Sequence, residues 1–489
     1  MARMWYTVLI VSCALLQYVR AEPRPDFGSK GTIASSGNIA MFADITNVGL
    51  LTADDKNGLI LRTNYTLFTT VLPLMESLGT NVATLGSPVA SAISAAAPVK
   101  NKDIATVFNT IYSPLAPYKS FLFTQVPATK TQLIGLVGTD INFLFGDAFP
   151  NMYNAVVKVE SDLKIFQANV TTARFTAGQT HVSADIVLAV QTSVMGWSAT
   201  TEAVRNTIHT AIDNIKVADT FLDQVYNLSR TLNSDLDIFY TRFRTNQTAL
   251  GTQLQLLVNA MKARVQTTYT PMLQYLPNHT AALNGTISLF NTPYTKLTGI
   301  PAMLSADVLP GYFNKSYSYI TEFKQMFNPL DYGSITLVLE VLVASGPNSK
   351  TCFNKYYPLV QNAFALLAYG VEVCLNIEVT HTFSIADIFS DMLDQSMYDL
   401  DDFYLNFSTC EWSPIPGICQ TSMFGAYYSA LTTSYAGKVA DIEKFLKTEF
   451  AASSSRLGSC VQTRKAKNKS TLQNMATDIA LCRTKGVAP

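Results

Sequence analysis

The sequence predicts a mainly α fold: long helices packed coiled-coil-like in the N-terminal part, and a C-terminal up-down four-helix bundle stapled by disulfides. Three observations favour this class. Apolar residues recur at heptad spacing over residues 201–270, they recur at helical spacing in the last third, and runs of alternating β-branched residues are few. The chain has 489 residues, 48% of them apolar, which is enough for about two to four domains with cores of their own.

The heptad pattern predicts one long helix across residues 201–270. One register consists of Ile208, Ile215, Leu222, Ser229, Leu236, Phe243, Leu250 and Leu257, and the other of Val204, Ala211, Ala218, Val225, Leu232 and Phe239. No Pro or Gly lies between Val204 and Leu250. A spacing of about 3.5 residues is typical of a helix packed against a second helix. We therefore expect Leu222 and Leu236 to be buried, with the second helix supplied either by this chain or by another.

The regions on either side differ in composition. Residues 22–200 predict a helical N-terminal region, with helix-like segments such as residues 151–166. Residues 271–347 predict short helices and turns because prolines interrupt them, at Pro271, Pro277, Pro293, Pro301, Pro310, Pro329 and Pro347. Residues 348–489 contain every cysteine that follows the first 21 residues, and this contrast marks the clearest domain boundary.

The first 21 residues predict a secretory signal peptide. Arg3 supplies the positive start, an apolar run extends from Trp5 to Leu16, and Val19-Arg20-Ala21 is a small-residue cleavage site. The apolar run is too short to span a membrane, and no later stretch has about 18 apolar residues without a charge. We therefore expect a secreted, extracellular protein with no membrane span.

Charge and sequons fit a glycoprotein. Basic and acidic residues number 35 each, so no net field attracts nucleic acid or anionic membranes. Charged residues are 14% of the chain, below the usual value of about 25%. Nine Asn-x-Ser/Thr sequons predict glycosylation at exposed sites: Asn64, Asn169, Asn227, Asn246, Asn278, Asn284, Asn314, Asn406 and Asn468.

The cysteines predict three disulfides. Cys13 lies in the signal peptide, which leaves Cys352, Cys374, Cys410, Cys419, Cys460 and Cys482. An even number of cysteines in a secreted chain indicates disulfides. Zinc is the alternative, but the smallest gap between cysteines is nine positions and no His lies within four positions of a cysteine, so the spacing of metal ligands is missing.

A gap of 22 positions occurs twice, from Cys352 to Cys374 and from Cys460 to Cys482. Twenty-two helical residues span about 33 Å, whereas disulfide partners need Cα atoms within about 7 Å, so neither pair can close on itself if its segment is one helix. In an up-down bundle the first and fourth helices are antiparallel. That order favours Cys352–Cys482 and Cys374–Cys460, with Cys410–Cys419 across the central turn. Parallel order, with Cys352–Cys460 and Cys374–Cys482, is the alternative.

Motifs for catalysis are sparse. The histidines are His181, His209, His279 and His381, and no two have metal-binding spacing. The chain has no G-x-S-x-G elbow, phosphate loop or H-E-x-x-H motif. We therefore expect no enzyme activity, no cofactor and no metal.

Two charged clusters lie in the cysteine-containing region. The acidic one consists of Asp387, Asp391, Asp394, Asp399, Asp401 and Asp402, and the basic one of Arg464, Lys465, Lys467 and Lys469. Calcium binding is one hypothesis for the aspartates, but a calcium loop needs closely spaced oxygens and a Gly at its turn. Their spacing favours a solvated helix face. The basic residues could bind a sulfated sugar, but we expect them to face the acidic helix.

Residues 345–485 resemble the TsetseEP domain, a family of secreted insect proteins without a defined activity. The family opens with Cys-Phe, then a Tyr, a Pro, and a helix that ends on a second Cys, and Cys352, Phe353, Tyr356, Pro358 and Cys374 match this opening. A central cysteine pair and two late cysteines follow, matched by Cys410 with Cys419 and by Cys460 with Cys482. The resemblance implies an extracellular, mainly helical domain of an insect gut, salivary or reproductive secretion, with no catalytic residues.

These observations predict a secreted, non-enzymatic glycoprotein that acts through surface contacts in an extracellular or luminal fluid or matrix. Its expected partner is an extracellular protein or glycan, and no nucleic acid. The alternative is a helical carrier of an apolar small molecule or lipid, which the 27 Phe and 23 Tyr residues permit. Aromatic residues at helical spacing are more often core than ligand site, and a large apolar cavity would favour the carrier.

Overall fold

The computed structural model describes residues 26–54, 58–269, 280–410, 413–415, 418–423 and 425–486. The predicted signal peptide (residues 1–21), Asn278 and His279 lie outside these residues. Nearly every described element is a helix, so the mainly α prediction is confirmed.

The N-terminal region contains six helices before the first strand. They are α1 (Ser36–Leu51), α2 (Thr66–Ala96), α3 (Ile104–Ser120), α4 (Val126–Val137), α5 (Ile141–Phe145) and α6 (Ala148–Thr172). Prolines do not end α2 or α3, although each helix contains two of them. The Ala- and Ser-rich residues around position 90 therefore belong to a helix.

A short hairpin follows, made of β1 (Arg174–Thr176) and β2 (Gln179–His181), which pair antiparallel. Ala177 and Gly178, between the strands, both have positive φ, as a two-residue hairpin turn of this hand requires. Gly178 also lies against Gly31, where a Cβ would come within 2.4 Å of the Gly178 carbonyl oxygen. Only glycine at position 31 fits this approach of two backbones.

The heptad helix, α7 (Ala184–Arg264), has 81 residues and begins before the predicted segment. Leu222 and Leu236 are fully buried, and both registers stay buried up to Leu250 except for the half-buried Phe239. Beyond Leu250 the buried position moves from Leu257 to Val258, because a straight helix drifts from heptad spacing. Because this burial occurs within one chain, the seam is internal packing.

The Pro-rich region forms α8 (Thr280–Met303), α9 (Leu309–Lys324) and α10 (Gly333–Ala344). The cysteine-containing region forms α11 (Ser349–Ala365), α12 (Leu367–Thr409) and α13 (Gly425–Lys485). Among the described residues of this region, three α-helices therefore stand where the sequence predicted an up-down bundle of four. Only Leu366 separates α11 from α12, and α13 runs through 61 residues, because no proline interrupts either predicted link.

The chain divides into two compact units. The first comprises Met1–Gln224, Ser334–Pro358 and Ala476–Pro489, and the second comprises Val225–Gly333 and Leu359–Met475. In the first unit α1 packs on α2, α2 on α3, and α3 on α6. An aromatic cluster of Phe27, Phe108 and Phe166 lies in its core, with ring centroids 4.9–5.9 Å apart.

Asp26 is the most enclosed charged side chain of the first unit. Only 1% of it is exposed, and its carboxylate accepts a hydrogen bond from the Ile33 N–H. Burial raises the pKa of Asp26 to about 6, although Ser36, Ile33 and Lys100 oppose the shift. Asp26 thereby holds the loop that leads into α1.

Candidate functional site

Three disulfides fix the C-terminal helices. In the second unit Cys374–Cys460 has a Cα–Cα distance of 5.8 Å, and Cys410–Cys419 has one of 5.6 Å. In the first unit Cys352–Cys482 has a Cα–Cα distance of 5.9 Å. These are the pairs of the predicted antiparallel ladder, and the parallel alternative does not occur. Residues 367–409 and 425–475 of the second unit are consequently an antiparallel hairpin.

The inward face of α12 is fixed by polar and aromatic contacts. Thr382 accepts a hydrogen bond from the Gln247 side chain at 2.7 Å. Lys438 pairs with the buried Asp399 at 2.9 Å, and the ring of Phe403 lies 4.3 Å from that of Phe290. These contacts from three other helices set which face of α12 points away from the unit.

That outward face carries what we call the apolar stripe. Its members are 44–67% exposed: Leu359, Leu366, Tyr369, Ile377, Ile388, Tyr398 and Leu405. At 3.6 residues per turn they fall within an arc of about 100°. Exposed apolar patches mark interaction sites when they are large, and the stripe is the candidate here, although the exposed Thr380, Ser384, Asp387, Asp391 and Gln395 lie between its members in the same arc.

The two ends of the apolar stripe differ in charge. Between Leu359 and Ile377 the outward face has no ionisable side chain apart from tyrosine, whereas Asp387, Asp391 and Asp394 accompany the far end. All three aspartates are exposed, and none forms an ion pair with another described residue. The stripe therefore has one neutral end and one acidic end.

The basic run lies beside the neutral end. Arg464 packs on Gly370, where a Cβ would come within 3.3 Å of the Arg464 Cδ. The expectation that the basic run faces the acidic helix was wrong. The register set by Cys374–Cys460 places Arg464 opposite residue 370, more than four helical turns from Asp387. Within the described chain, Arg464, Lys465, Lys467 and Lys469 form no ion pair with an acidic residue.

The remaining aspartates of the acidic cluster have partners elsewhere. Asp401 pairs with Arg264 at 2.8 Å. Asp402 accepts a hydrogen bond from the Tyr427 hydroxyl at 2.7 Å, and desolvation together with Asp402 raises the pKa of Tyr427 to about 12. With the Lys438–Asp399 pair, these contacts explain half of the cluster as internal structure of the second unit.

A buried polar cluster lies deeper in the second unit. The Tyr312 and Ser453 hydroxyls are 2.8 Å apart, Ser453 donates to a Glu378 carboxylate oxygen at 2.6 Å, and Arg456 approaches the other oxygen at 3.4 Å. Burial raises the pKa of Tyr312 far above its usual range. Ser453 has no exposed surface, so a substrate cannot reach its hydroxyl in this arrangement.

An open cleft of about 260 Å³ adjoins this cluster. Tyr312, Phe450, Ser454, Lys315 and Lys447 are among its lining residues. The buried Ser454 hydroxyl has no hydrogen-bond partner. Two larger grooves, of about 720 Å³ beside Tyr240 in the second unit and about 650 Å³ beside Leu188 in the first, are shallow and mainly lined by small or polar side chains.

The sequons differ in how far their side chains reach solvent. Asn64, Asn227 and Asn314 are exposed, whereas Asn169, Asn246, Asn406 and Asn468 are half-buried, and Asn284 lies in α8. The Asn468 amide nitrogen is buried without a partner. The Asn406 amide nitrogen donates to the Asp402 carbonyl and the Tyr427 hydroxyl. A glycan on the amide nitrogen of Asn406 or Asn468 would displace the groups around it. The exposed Asn64, Asn227 and Asn314 are therefore the better acceptors.

Among the described residues, no group of three His, Cys, Asp or Glu side chains could hold a metal ion. One described helical run, Ser349–Asn406, is long and apolar enough to cross a membrane by length and composition alone, with 39% of its most apolar window buried. This run contains the apolar stripe. Core helices of proteins without a membrane have the same length and composition.

Sequence reasoning did not identify the apolar stripe, although Leu359, Leu366 and Ile377 were visible as large apolar residues. The buried face of the same helix is apolar too, so the sequence alone shows a helix that is apolar nearly all round. No protein-family model, curated protein or solved structure matches this chain.

Proposed function

We propose that this chain is a secreted, non-enzymatic glycoprotein that acts by surface contact in an extracellular or luminal fluid or matrix, with the apolar stripe as its contact surface. The exposed stripe on a disulfide-braced helix is the observation that carries the proposal. Disulfides form and persist in oxidising compartments, which supports secretion. The resemblance of residues 345–485 to the TsetseEP family supports an insect gut, salivary or reproductive secretion.

The enclosed polar cluster supports a role without catalysis. A serine nucleophile needs a path to its substrate, and Ser453 is fully covered. Glu378, Ser453 and Tyr312 satisfy one another's hydrogen bonds inside the helical packing. This arrangement gives the helices a specific register, as buried polar networks do.

The proposal is tested by producing the full chain in insect cells. We expect secretion into the medium, an N-terminus after Ala21, and glycans on Asn227, Asn278 and Asn314 in glycopeptide maps. Retention in the cell with all three sequons bare would remove the secreted-glycoprotein proposal.

Contact through the stripe is tested by photo-cross-linking in the luminal or secreted fluid of the source tissue. Benzoylphenylalanine placed at Tyr369 samples the stripe, and the same group at Phe383 is the matched control. Phe383 is 42% exposed on the same helix but lies outside the arc of the stripe. We expect adducts from position 369 and few from position 383. Equal yields at the two positions would contradict the assignment of the contact surface.

The cleft beside Ser454 favours one alternative, a carrier of a small apolar ligand with a polar group. Its lining combines Phe450 with a hydroxyl that has no partner, which is the mixed chemistry of a ligand site. Solvent extraction of native protein, followed by mass spectrometry, tests this. A stoichiometric apolar molecule that is lost in Ser454→Leu protein would establish the carrier, and empty extracts would remove it.

A further inference from the structure

The apolar stripe is a long surface with internal symmetry. From Leu359 to Leu405 it extends about 69 Å along the helix. A point between residues 378 and 379 is equally far from Leu359 and Tyr398, and also equally far from Tyr369 and Ile388. An antiparallel copy of the stripe, turned about that point, sets Leu359 opposite Tyr398 and Tyr369 opposite Ile388. Four of the seven members of the stripe therefore pair with one another, whereas Leu366 comes opposite Asp391 and Ile377 opposite Thr380. The two apolar pairs fit a two-fold, self-complementary contact.

The charged residues of the hairpin fit the same two-fold rotation, because it places acidic residues of one copy near basic residues of the other. Asp387, Asp391 and Asp394 lie beyond the symmetry point, and Arg464 packs on Gly370, before it. The rotation that superposes the apolar residues brings the level of these aspartates to the level of the partner copy's basic run. A parallel arrangement would instead place acidic residues beside acidic residues and basic beside basic. Asp387, Asp391 and Asp394 have no ion pair within the described chain that would compete, and neither do the residues of the basic run.

We propose that two copies of this chain pair through the apolar stripe, antiparallel about a two-fold axis near residues 378 and 379. The pairing covers the exposed apolar side chains and sets each acidic end at the level of the other copy's basic run. It rests on the proposed function, since it names the partner of the proposed contact surface. The match of opposite charges selects the antiparallel order and the register, while apolar burial supplies the affinity.

The first experiment is sedimentation equilibrium of the full, secreted chain over a range of concentrations. We expect a dimer. The double variant Ile377→Asp, Tyr369→Asp should raise the dissociation constant of the dimer by about a hundredfold or more, because two charges enter the centre of the contact. Phe383→Asp is the matched control, with an exposed apolar residue of the same helix replaced by the same charge. It should leave the dimer intact. Unchanged helical circular dichroism at low temperature shows that each variant folds, since losing the dimer would itself lower the melting temperature.

The second experiment exchanges the charges. One variant carries Asp387→Lys, Asp391→Lys and Asp394→Lys, and the other carries Arg464→Glu, Lys465→Glu and Lys467→Glu. Each alone should dimerise about tenfold more weakly than the unmodified chain. Mixed in equal amounts they should form a heterodimer near the original strength, because each altered cluster then meets its opposite. The rescue should fade at high salt.

Three results would overturn the self-pairing. They are a monomer at every concentration, a dimer that the stripe variants do not weaken, and a monomer that binds phosphatidylcholine vesicles through the stripe. A monomer whose position 369 still cross-links to another protein removes the self-pairing and leaves the proposed function standing. Equal cross-linking at positions 369 and 383 removes the contact surface itself.

Discussion

Two helical surfaces of the second unit carry large apolar residues at helical spacing, and they differ in what covers them. On α7, Leu232, Leu236 and Phe243 are buried against other helices of the same chain. On α11 and α12, Leu366, Ile377 and Leu405 stand about half or more exposed. Both patterns report an apolar face. The difference teaches that periodicity predicts an apolar helix face, whereas the neighbouring helices decide whether that face is buried inside the molecule or exposed on its surface.

The largest loss of stability is expected from a charge placed in the seam, the buried heptad positions of α7. Leu222→Asp should unfold the protein or lower its stability by more than the about 2–5 kcal/mol expected for Leu222→Ala or Leu236→Ala, because it buries an unpaired charge. Leu366→Asp on the stripe is the matched comparison, since its carboxylate reaches water in a single chain. Urea unfolding measures all four variants, and equal losses at residues 222 and 366 would break the distinction.

The disulfides brace the helix that presents the stripe, so their removal comes next in size. In the chain-entropy model, Cys374→Ser with Cys460→Ser should lose about 4–5 kcal/mol, and Cys410→Ser with Cys419→Ser about 2–3 kcal/mol. The order follows from sequence separations of 86 and 9. Thermal melts of both double variants test it, and a larger loss at the short loop would contradict the model.

Asp26 is a charged group that is buried in the first unit. Its pKa is raised to about 6 in the folded chain from 3.8, so the folded state binds a proton more readily than the unfolded state. The contribution of Asp26 to the free energy of unfolding therefore grows as the pH falls through 6 and is nearly complete by about pH 4. The contribution is lost as the pH rises through 6. Relative to Asp26→Asn, the unmodified chain should gain up to about 3 kcal/mol between pH 7 and pH 4.

Denaturant titrations of the two proteins at several pH values check this. Comparing them at each pH cancels the groups that both contain. A stability difference that stays constant across the range would mean that Asp26 has an ordinary pKa.

The smallest effect is expected on the stripe itself. Leu366→Ala in dilute, monomeric protein should change stability by no more than about 0.5 kcal/mol, because the side chain is 63% exposed. Leu236→Ala under the same conditions provides the contrast. A loss of several kcal/mol at residue 366 would show that the stripe is packed within the chain.

Much of the fold follows from local rules. The buried seam of α7 was predicted because heptad spacing leaves few alternatives. The disulfide pairing was predicted because a 22-residue helix spans about 33 Å, which also leaves few alternatives. The number of C-terminal helices was not predicted, because weak breakers such as Gly437 and Gly458 lie inside α13 and do not end it. A helix ends where packing no longer favours it, and the sequence does not encode that directly.

The candidate site could be predicted far less well. Leu359 and Val360 are adjacent and chemically alike, yet one is exposed and the other fully buried. The positions of the neighbouring helices distinguish the two faces, and one of these helices, α13, is locked by Cys374–Cys460. The placement of Arg464 beside Gly370 has the same origin, since it depends on the register between two helices and not on either helix alone.

The Cys352–Cys482 bond has a consequence for survival in a fluid that contains proteases. It closes a covalent ring of chain with a sequence separation of 130 residues. A single peptide-bond cut anywhere within that ring releases no fragment, because both new ends stay tethered. A protease that attacks the hairpin tip would therefore leave one band on a non-reducing gel and two after reduction, with the two helices still held side by side.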